Sequence, residues 1–524
     1  MAQRLNGRGR LGRVVRKLRG GRLLRPRAAQ PSRPMSVSRP MERLAAEQLF
    51  SRVAGSAPVQ GNAVRLLRDG AENYAAWLDA IAAARRSVHF ENYIFRGDDI
   101  GREFAAALSA KAREGVAVRV LYDWMGSFRQ VPRGFWRDLR TAGVEVRCFN
   151  RPRLDSPFGW LSRNHRKTVS VDGEIGFVAG LCVGDEWVGD PARRRPAWRD
   201  TGIAVQGPAL ADLDAAFDES WSHAGGQPPD PAATPPDPPP EPDMQPEPGQ
   251  VTLRVIASKP NTMGLYRFDQ LIAGMARRSL WLTDAYFVGT TAYVRTLCDA
   301  ALDGVDVRLL VPGASDIPVA KALSRAGYRP LLDAGIRVFE WNGPMLHAKT
   351  AVADGRWSRI GSSNLNLASW LGNWELDVAI EDGAFAAEME AMFEADLQNA
   401  TEIVLDLGRV HLATPRSQRR RQAPRRGSPG RLAAGAVGLG SAVSAALTNH
   451  RALGPAEARV MAAAAGILLA LAAAAVLAPR LLTIPIAVVA AWTGVTLLVR
   501  AWRLRAGTGI DGPDARLTSD PQGG

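Results

Sequence analysis

His165-Arg166-Lys167-Thr168-Val169-Ser170-Val171-Asp172-Gly173 and His347-Ala348-Lys349-Thr350-Ala351-Val352-Ala353-Asp354-Gly355 are one pattern written twice in a chain of 524 residues. In extended chain, residues two apart share a face, so each His and its Lys project together while the residue between them points away. An imidazole beside an ammonium can attack, hold or protonate a phosphate oxyanion. A single His-x-Lys would read as a core histidine, but two of the chain's six histidines fall in this pattern. The candidate catalytic set is therefore His165, Lys167, Asp172, His347, Lys349 and Asp354. The two aspartates carry a second reading, because Asp-Gly is also the preferred chemistry of a two-residue hairpin turn.

The same order of elements leads into both copies. An amphipathic helix (Tyr74, Trp77, Leu78, Ile81) precedes a strand-like VHFENYIF ending at Phe95, and a helix containing Phe104 and Leu108 follows. Gly115 then precedes a strand from Val116 to Asp123, and Gly143 a strand from Val144 to Val146. In the second half SLWLTDAYF ends at Phe287, Gly304 precedes VDVRLLV, and Gly335 precedes IRVFE. From Gly115 to Gly304, from Gly143 to Gly335 and from His165 to His347 the spacing stays between 182 and 192 residues. Strands alternating with helices predict an α/β protein made of two repeated mixed-sheet halves packed around one active site.

Composition shifts place the boundaries. Residues 1–45 are a basic arm with no folding signal, 46–224 the first half and 225–249 a proline-rich linker. The second half covers 250–405, a basic connector 406–455, a helical membrane hairpin 456–505 and a tail 506–524. The hairpin rests on Val460 to Ala478 and Leu481 to Val499, two uncharged stretches each long enough to span a bilayer core, separated by Pro479-Arg480. Arg451 and Arg459 before it and Arg500, Arg503 and Arg505 after it outnumber Arg480 in the turn. By the positive-inside rule the enzyme body faces the cytoplasm, on the inner side of the cell membrane.

The formal net charge is +14, and twelve Arg/Lys with no Asp/Glu precede Met41. The body is therefore nearly balanced, and the excess sits in the arm, where it suits an anionic membrane surface. No apolar run follows those arginines, which argues against a secretory signal. Cys148, Cys182 and Cys298 form no CxxC pair and support neither a disulfide framework nor a cysteine zinc site, which suits a reducing compartment.

The two motifs, with GSSN at Gly361 to Asn364 and NWE at Asn373 to Glu375, resemble the phospholipase D superfamily. ENYIFRGDDIG, GDEW at Gly184 to Trp187, WRDTGIAVQGPAL at Trp198 to Leu210 and MLHAKTAVADGRWSRIGSSN resemble its bacterial cardiolipin synthase branch. The resemblance runs from about Val64 to Ala400. It implies that the histidines face each other across one phosphate, one attacking phosphorus to give a phosphohistidine and the other protonating the leaving alkoxide. His165 is the expected nucleophile. Lys167 and Lys349 would supply the charge stabilisation, with no metal and no cofactor. Asp200 and Glu375 would each orient an imidazole, and Asn364 would support the phosphate. Two features depart from the family pattern. The position seventeen residues after the motif histidine is Asn364 in the second half but Cys182 in the first; a thiol donates to phosphate less well than an amide. The membrane segments lie C-terminal, whereas better-known bacterial synthases carry them at the N-terminus.

The expected function is a membrane-bound phosphatidyltransferase acting on phosphatidylglycerol-like phospholipids. A lipid hydrolase with water as acceptor and a family nuclease are the alternatives. No specific nucleic acid is expected, because the body has no basic, aromatic-interleaved surface. Trp160, Trp187, Trp198, Trp370 and Trp374 could line an apolar entrance or fill the core.

Overall fold

In the first half, alternating helical and strand patterns fold as a run of units closed by glycine. β1 (Val59–Arg68), α1 (Asp69–Ala83), β2 (Ser87–Asn92), α2 (Asp99–Arg113), β3 (Ala117–Asp123), α3 (Phe135–Thr141) and β4 (Glu145–Phe149) come first. β5 (Arg163–Asn164), β6 (Thr168–Val171), β7 (Ile175–Ala179), β8 (Thr201–Gln206) and α4 (Leu210–His223) complete it. The second half repeats the order with β9 (Val251–Ser258), α5 (Gly264–Met275), β10 (Ser279–Thr283), α6 (Thr291–Leu302) and β11 (Asp306–Pro312). It continues with α7 (Pro318–Ala326), α8 (Tyr328–Asp333), β12 (Arg337–Trp341), β13 (Thr350–Ala353), β14 (Trp357–Gly361), β15 (Asn373–Glu381) and α9 (Gly383–Gln398). β16 (Ala400–Asp406), β17 (Arg409–Leu412) and a helix α10 (Pro479–Arg505) follow. This computed structural model describes residues 48–152, 161–190, 192–227, 249–406, 409–412 and 475–505, with isolated positions between 466 and 473.

Gly115, Gly143, Gly304 and Gly335 have φ of 92°, 98°, 94° and 87°. Each ends a helix in the left-handed region that only glycine enters freely, turning the chain into the next parallel strand. The sheet order is β4-β3-β2-β6-β7-β8-β1 in the first half. In the second it is β12-β11-β10-β13-β14-β15-β9. The three strands before each motif are parallel and the four around it antiparallel, so both sheets are mixed. β1 pairs antiparallel with β9 and joins the two sheets.

Each half has its own core. In the first, Tyr74, Trp77 and Ile81 of α1 pack with Phe90, Phe104 and Leu108, and burying an aromatic of this kind stabilises the fold by about 2 kcal/mol. In the second, Phe268, Leu282, Tyr293, Leu309 and Val338 do the same. A third cluster crosses the seam, with Val178, Ile203, Val205 and Leu213 against Val255, Val352, Ile360 and Leu376. The halves therefore share apolar surface as well as a strand pair.

Two expectations need correction. VHFENYIF and SLWLTDAYF leave the ladder early, at Asn92 and Thr283, because Tyr93 to Phe95 and the equivalent stretch turn toward the loops after β7 and β14. Phe95 bridges Val183, and Val288 bridges Asn366. The His-x-Lys residues lie in extended chain just before β6 and β13 rather than inside those strands. There the chain changes partners: β5 pairs with β15 of the other half, Leu346 bridges Arg199 of the other half, and only from Thr168 and Thr350 does each segment join its own sheet. Of the membrane hairpin, the stretch Leu481 to Val499 lies within α10, while Val460 to Ala478 is described only in part; the basic arm, most of the proline-rich linker, the Arg416 to Arg431 tract and Trp160 lie outside the described residues. Among the described residues no helix is long and apolar enough to cross a membrane.

Candidate active site

The partner change before β6 and β13 carries each histidine across the seam. The His165 backbone N–H donates to the Trp374 carbonyl at 2.8 Å, and the His347 N–H to the Arg199 carbonyl at 2.7 Å. The next residue after each of those carbonyls is a carboxylate. Glu375 Oε2 lies 2.9 Å from His165 Nδ1, and Asp200 Oδ2 lies 2.8 Å from His347 Nδ1. Each half thus orients the other half's imidazole. An ionised carboxylate only accepts, so Nδ1 carries the hydrogen in both rings and each Nε2 keeps its lone pair.

The two carboxylates are themselves held. Trp187 Nε1 donates to Asp200 Oδ2 at 2.9 Å and the Thr201 N–H to Oδ1 at 2.8 Å. A Cβ on Gly180 would stand 2.2 Å from Asp200 Oδ1, so the approach of that carboxylate requires glycine there. Ser362 donates to Glu375 Oε2 at 2.6 Å and Asn373 Nδ2 to Oε1 at 3.1 Å. Burial alone would raise the Asp200 and Glu375 carboxyls; the charge and hydrogen bond of the facing histidine, with a lysine nearby, bring both below their ordinary values.

Lys167 Nζ donates to the His165 carbonyl and Lys349 Nζ to the His347 carbonyl, which folds each ammonium back beside its own histidine. Lys349 Nζ stands 3.1 Å from His347 Nδ1. Burial, then the Lys349 charge, lowers the His347 pKa to about 4. Burial lowers His165 as well, although Glu375 opposes it. Lys349 acts on His165 and Lys167 acts on His347 electrostatically, so the two motifs form one site. Both imidazoles are neutral near pH 7, as a nucleophile must be. Burial also brings the Lys349 pKa down to about 8. Its charge is present below that value and lost above it, so initial rates measured against pH should fall as the pH rises through about 8. A rate that keeps rising well beyond that point would show that the Lys349 charge is dispensable.

Asp172 and Asp354 are not brought to this site. Asp172 accepts from the backbone N–H groups of Arg85, Arg86 and Ser87 at 2.8, 2.7 and 2.7 Å. Asp354 accepts from those of Arg277, Arg278 and Ser279 at 3.0, 2.7 and 3.0 Å. Both have positive φ and precede a glycine that does too, and Glu174 N–H to Val171 O and Arg356 N–H to Ala353 O close the turns. The hairpin reading replaces the catalytic one: each carboxylate pins the start of β2 or β10 to the far end of its motif, roughly 20 Å of extended chain from the imidazole. Asp354→Ala should therefore destabilise the fold by about 2 kcal/mol, the loss of hydrogen bonds from three backbone N–H groups to a charged acceptor at a partly exposed turn. Thermal melting should fall while kcat per folded molecule holds; a kcat loss at full folding would return Asp354 to the chemistry.

The tryptophans divide. Trp187 and Trp198 flank His347 with ring centroids 5.6 and 5.9 Å away, whereas Trp370 packs on Tyr266 and Tyr293 and Trp374 on Phe149. Two supporting residues were not expected in the roles they take: Trp187, a candidate only for an apolar entrance, holds Asp200, and Ser362, visible only within GSSN, holds Glu375.

A family profile described as cardiolipin synthase, PLD-like domain, matches residues 77–182 and 271–397. Cardiolipin synthase A of Pseudomonas fluorescens (strain SBW25) is 38% identical over 352 residues, covering 65% of this chain and 70% of that protein. The chain belongs to the cardiolipin synthase family. Another relative, the cardiolipin synthase of Alkalihalophilus pseudofirmus, is 33% identical over 369 residues, 69% of this chain and 72% of that one. The crystal structure of phosphatidylserine synthase from Haemophilus influenzae Rd KW20 superposes with a TM-score of 0.52 at 15% identity, over 69% of this chain and 92% of that one, and shares the fold. As a member of the cardiolipin synthase family the chain is a phospholipase D-type phosphatidyltransferase.

Proposed function

We propose that this enzyme is membrane-bound and moves a phosphatidyl group from phosphatidylglycerol or a closely related lipid to the hydroxyl of a second phospholipid, releasing glycerol. The observation that carries the reading is the crossed pair of carboxylate-held imidazoles, His165 with Glu375 and His347 with Asp200, with a lysine beside each. The cardiolipin synthases among its relatives support phospholipid substrates.

In this reading the Nε2 lone pair of His165 attacks phosphorus, and the bond from phosphorus to the glycerol oxygen breaks. That oxygen takes a proton from Nε2 of His347, which gains it as the anionic phosphodiester enters and offsets the lysine charges that disfavour the imidazolium. Lys167 and Lys349 neutralise the non-bridging oxygens, and the Asn364 amide supports them. His347, now neutral, removes the proton of the incoming lipid hydroxyl. Its oxygen forms the new bond to phosphorus, the phosphorus–nitrogen bond breaks, and His165 is restored. No metal or other cofactor takes part in these steps.

The test is purified enzyme with phosphatidylglycerol vesicles in EDTA, followed by mass analysis of the lipids and an assay for free glycerol. A diphosphatidyl lipid and glycerol in equal amounts are expected. Phosphatidic acid as the sole lipid product would make the enzyme a hydrolase, and cleavage of DNA without lipid turnover would make it a nuclease. Activity lost in EDTA and restored by one divalent ion would replace the lysine role with a metal.

Membrane attachment is assigned to the apolar stretches Val460 to Ala478 and Leu481 to Val499, with the body on the cytoplasmic side by the arginine distribution. Along α10 the side chains of Ile484, Ile486, Val488, Leu497, Leu498 and Trp502 are exposed, an apolar surface that water disfavours. Truncation after Leu453 should make attachment salt-sensitive, since only the basic arm and connector remain, each Arg near an anionic surface adding about 1 kcal/mol. A truncated enzyme that still resists high-salt extraction would place the anchor elsewhere.

A further inference from the structure

Cys182 and Asn364 occupy equivalent places in the repeat, seventeen residues after His165 and His347. Both are buried, and the Asn364 Oδ1 has no hydrogen-bond partner; a phosphate oxygen would be met by the donor of that amide, Nδ2. The first half has only a thiol at that position. Nearby, however, is a second buried amide. Asn92 is 2% exposed, and neither its Nδ2 nor its Oδ1 has a partner. A buried carboxamide left with nothing to bond costs free energy. Such an arrangement is retained where a ligand completes it.

The strand register says where the Asn92 side chain lies. β2 pairs with β6 so that Glu91 faces Thr168 and Phe90 faces Val169. One step further, Asn92 falls opposite Lys167. Side chains alternate along both strands, so Asn92, Lys167 and His165 share one face. The opposite face holds Glu91, which accepts from Asn164, Thr168 and Ser220.

The second half shows what this position does when an asparagine is present in the loop. Asp284 is the equivalent of Asn92, and it accepts from the Leu365 N–H at 2.8 Å and the Tyr286 N–H at 3.1 Å. It is occupied in holding the loop that bears Asn364. In the first half that work falls to the backbone, with Val183 N–H donating to the Ile94 carbonyl and Arg96 N–H to the Val183 carbonyl. Asn92 is thereby released.

We propose that Asn92 is the phosphate-binding amide of the first half, donating from Nδ2 to a non-bridging phosphoryl oxygen in place of the asparagine absent at Cys182. The inference rests on the phosphodiester chemistry proposed above. The phosphate cradle is then asymmetric, with one amide from a loop (Asn364) and one from a strand end (Asn92).

The test compares wild type with Asn92→Ala, Asn92→Asp, Cys182→Asn and the double variant Asn92→Ala with Cys182→Asn. Each is assayed on phosphatidylglycerol vesicles and on bis(p-nitrophenyl) phosphate, a phosphodiester with no lipid part. Asn92→Ala should lower kcat about 100-fold, the size of effect seen when one donor to a developing oxyanion is removed. Asn92→Asp has the same shape, and Asp284 shows that the fold accepts a carboxylate at this position. It should fold and be at least as impaired, since a carboxylate offers the phosphate no donor; this variant decides the matter should the alanine variant not fold. The discriminating result is rescue: Cys182→Asn should restore much of the activity lost in Asn92→Ala, which a merely space-filling Asn92 would not allow. Full activity in folded Asn92→Ala or Asn92→Asp, or no rescue by Cys182→Asn, overturns the inference. Wild type inert on both substrates would instead overturn the phosphodiester reading beneath it.

Discussion

Alanine at His165 or at His347 should abolish turnover, with kcat at least about 10⁴-fold below wild type, because neither imidazole can be nucleophile and proton donor at once. Both variants should fold, since the backbone N–H groups that carry positions 165 and 347 across the seam remain in place. The two losses should differ in kind. With His347 replaced, His165 can still attack an activated diester whose leaving group needs no proton, so a phosphoenzyme should accumulate. With His165 replaced, none should form. Phosphoenzyme in the His165 variant alone would exchange the two roles, and substantial turnover in both variants would end the two-histidine mechanism.

Asp200→Asn and Glu375→Gln should each lower kcat by about 10²- to 10⁴-fold with little change in KM, by analogy with a triad carboxylate whose loss leaves the histidine in the wrong tautomer. An amide can offer its N–H to Nδ1, which moves the ring hydrogen to Nε2 and removes the lone pair from the reacting side. The crossing of the halves gives the prediction its particular form. Glu375→Gln, a change in the second half, should impair phosphoenzyme formation as a His165 variant does. Asp200→Asn, in the first half, should impair proton transfer to the leaving group. Restoration of the Asp200→Asn rate by substrates with good leaving groups, and not of the Glu375→Gln rate, is the expected signature; equal responses of both would dissolve the pairing.

What could be read from the sequence was local. The repeat was visible because each helix-to-strand turn needs a left-handed residue, and Gly115, Gly143, Gly304 and Gly335 mark the same turns twice. His and Lys sharing a face followed from the two-residue period. Asp172 and Asp354 followed only halfway, because an Asp-Gly pair looks the same whether its carboxylate serves a turn or a substrate, and only their backbone partners near Arg86 and Arg278 decide between them. The crossing of Asp200 to His347 and of Glu375 to His165 joins residues 147 and 210 positions apart. No periodicity encodes which half a carboxylate will face. The early ends of β2 and β10 were hidden for the same reason: Tyr93 to Phe95 are good strand residues by composition, and tertiary pairing with the loop at Val183 outweighs that preference. Asn92 left no trace in spacing at all, since its role emerges only when the partner strand is known.

The exchange of carboxylates between halves means that neither half is a catalyst in its own right. Each carries a complete His-x-Lys and would display a full motif, yet it would hold an imidazole with no fixed tautomer and a carboxylate with nothing to orient. In effect each half serves as the other's prosthetic group. Substitutions that loosen the seam, at Val178 or Leu376 for instance, will then act like the loss of a cofactor, silencing both histidines together even where every residue of the two motifs remains in place.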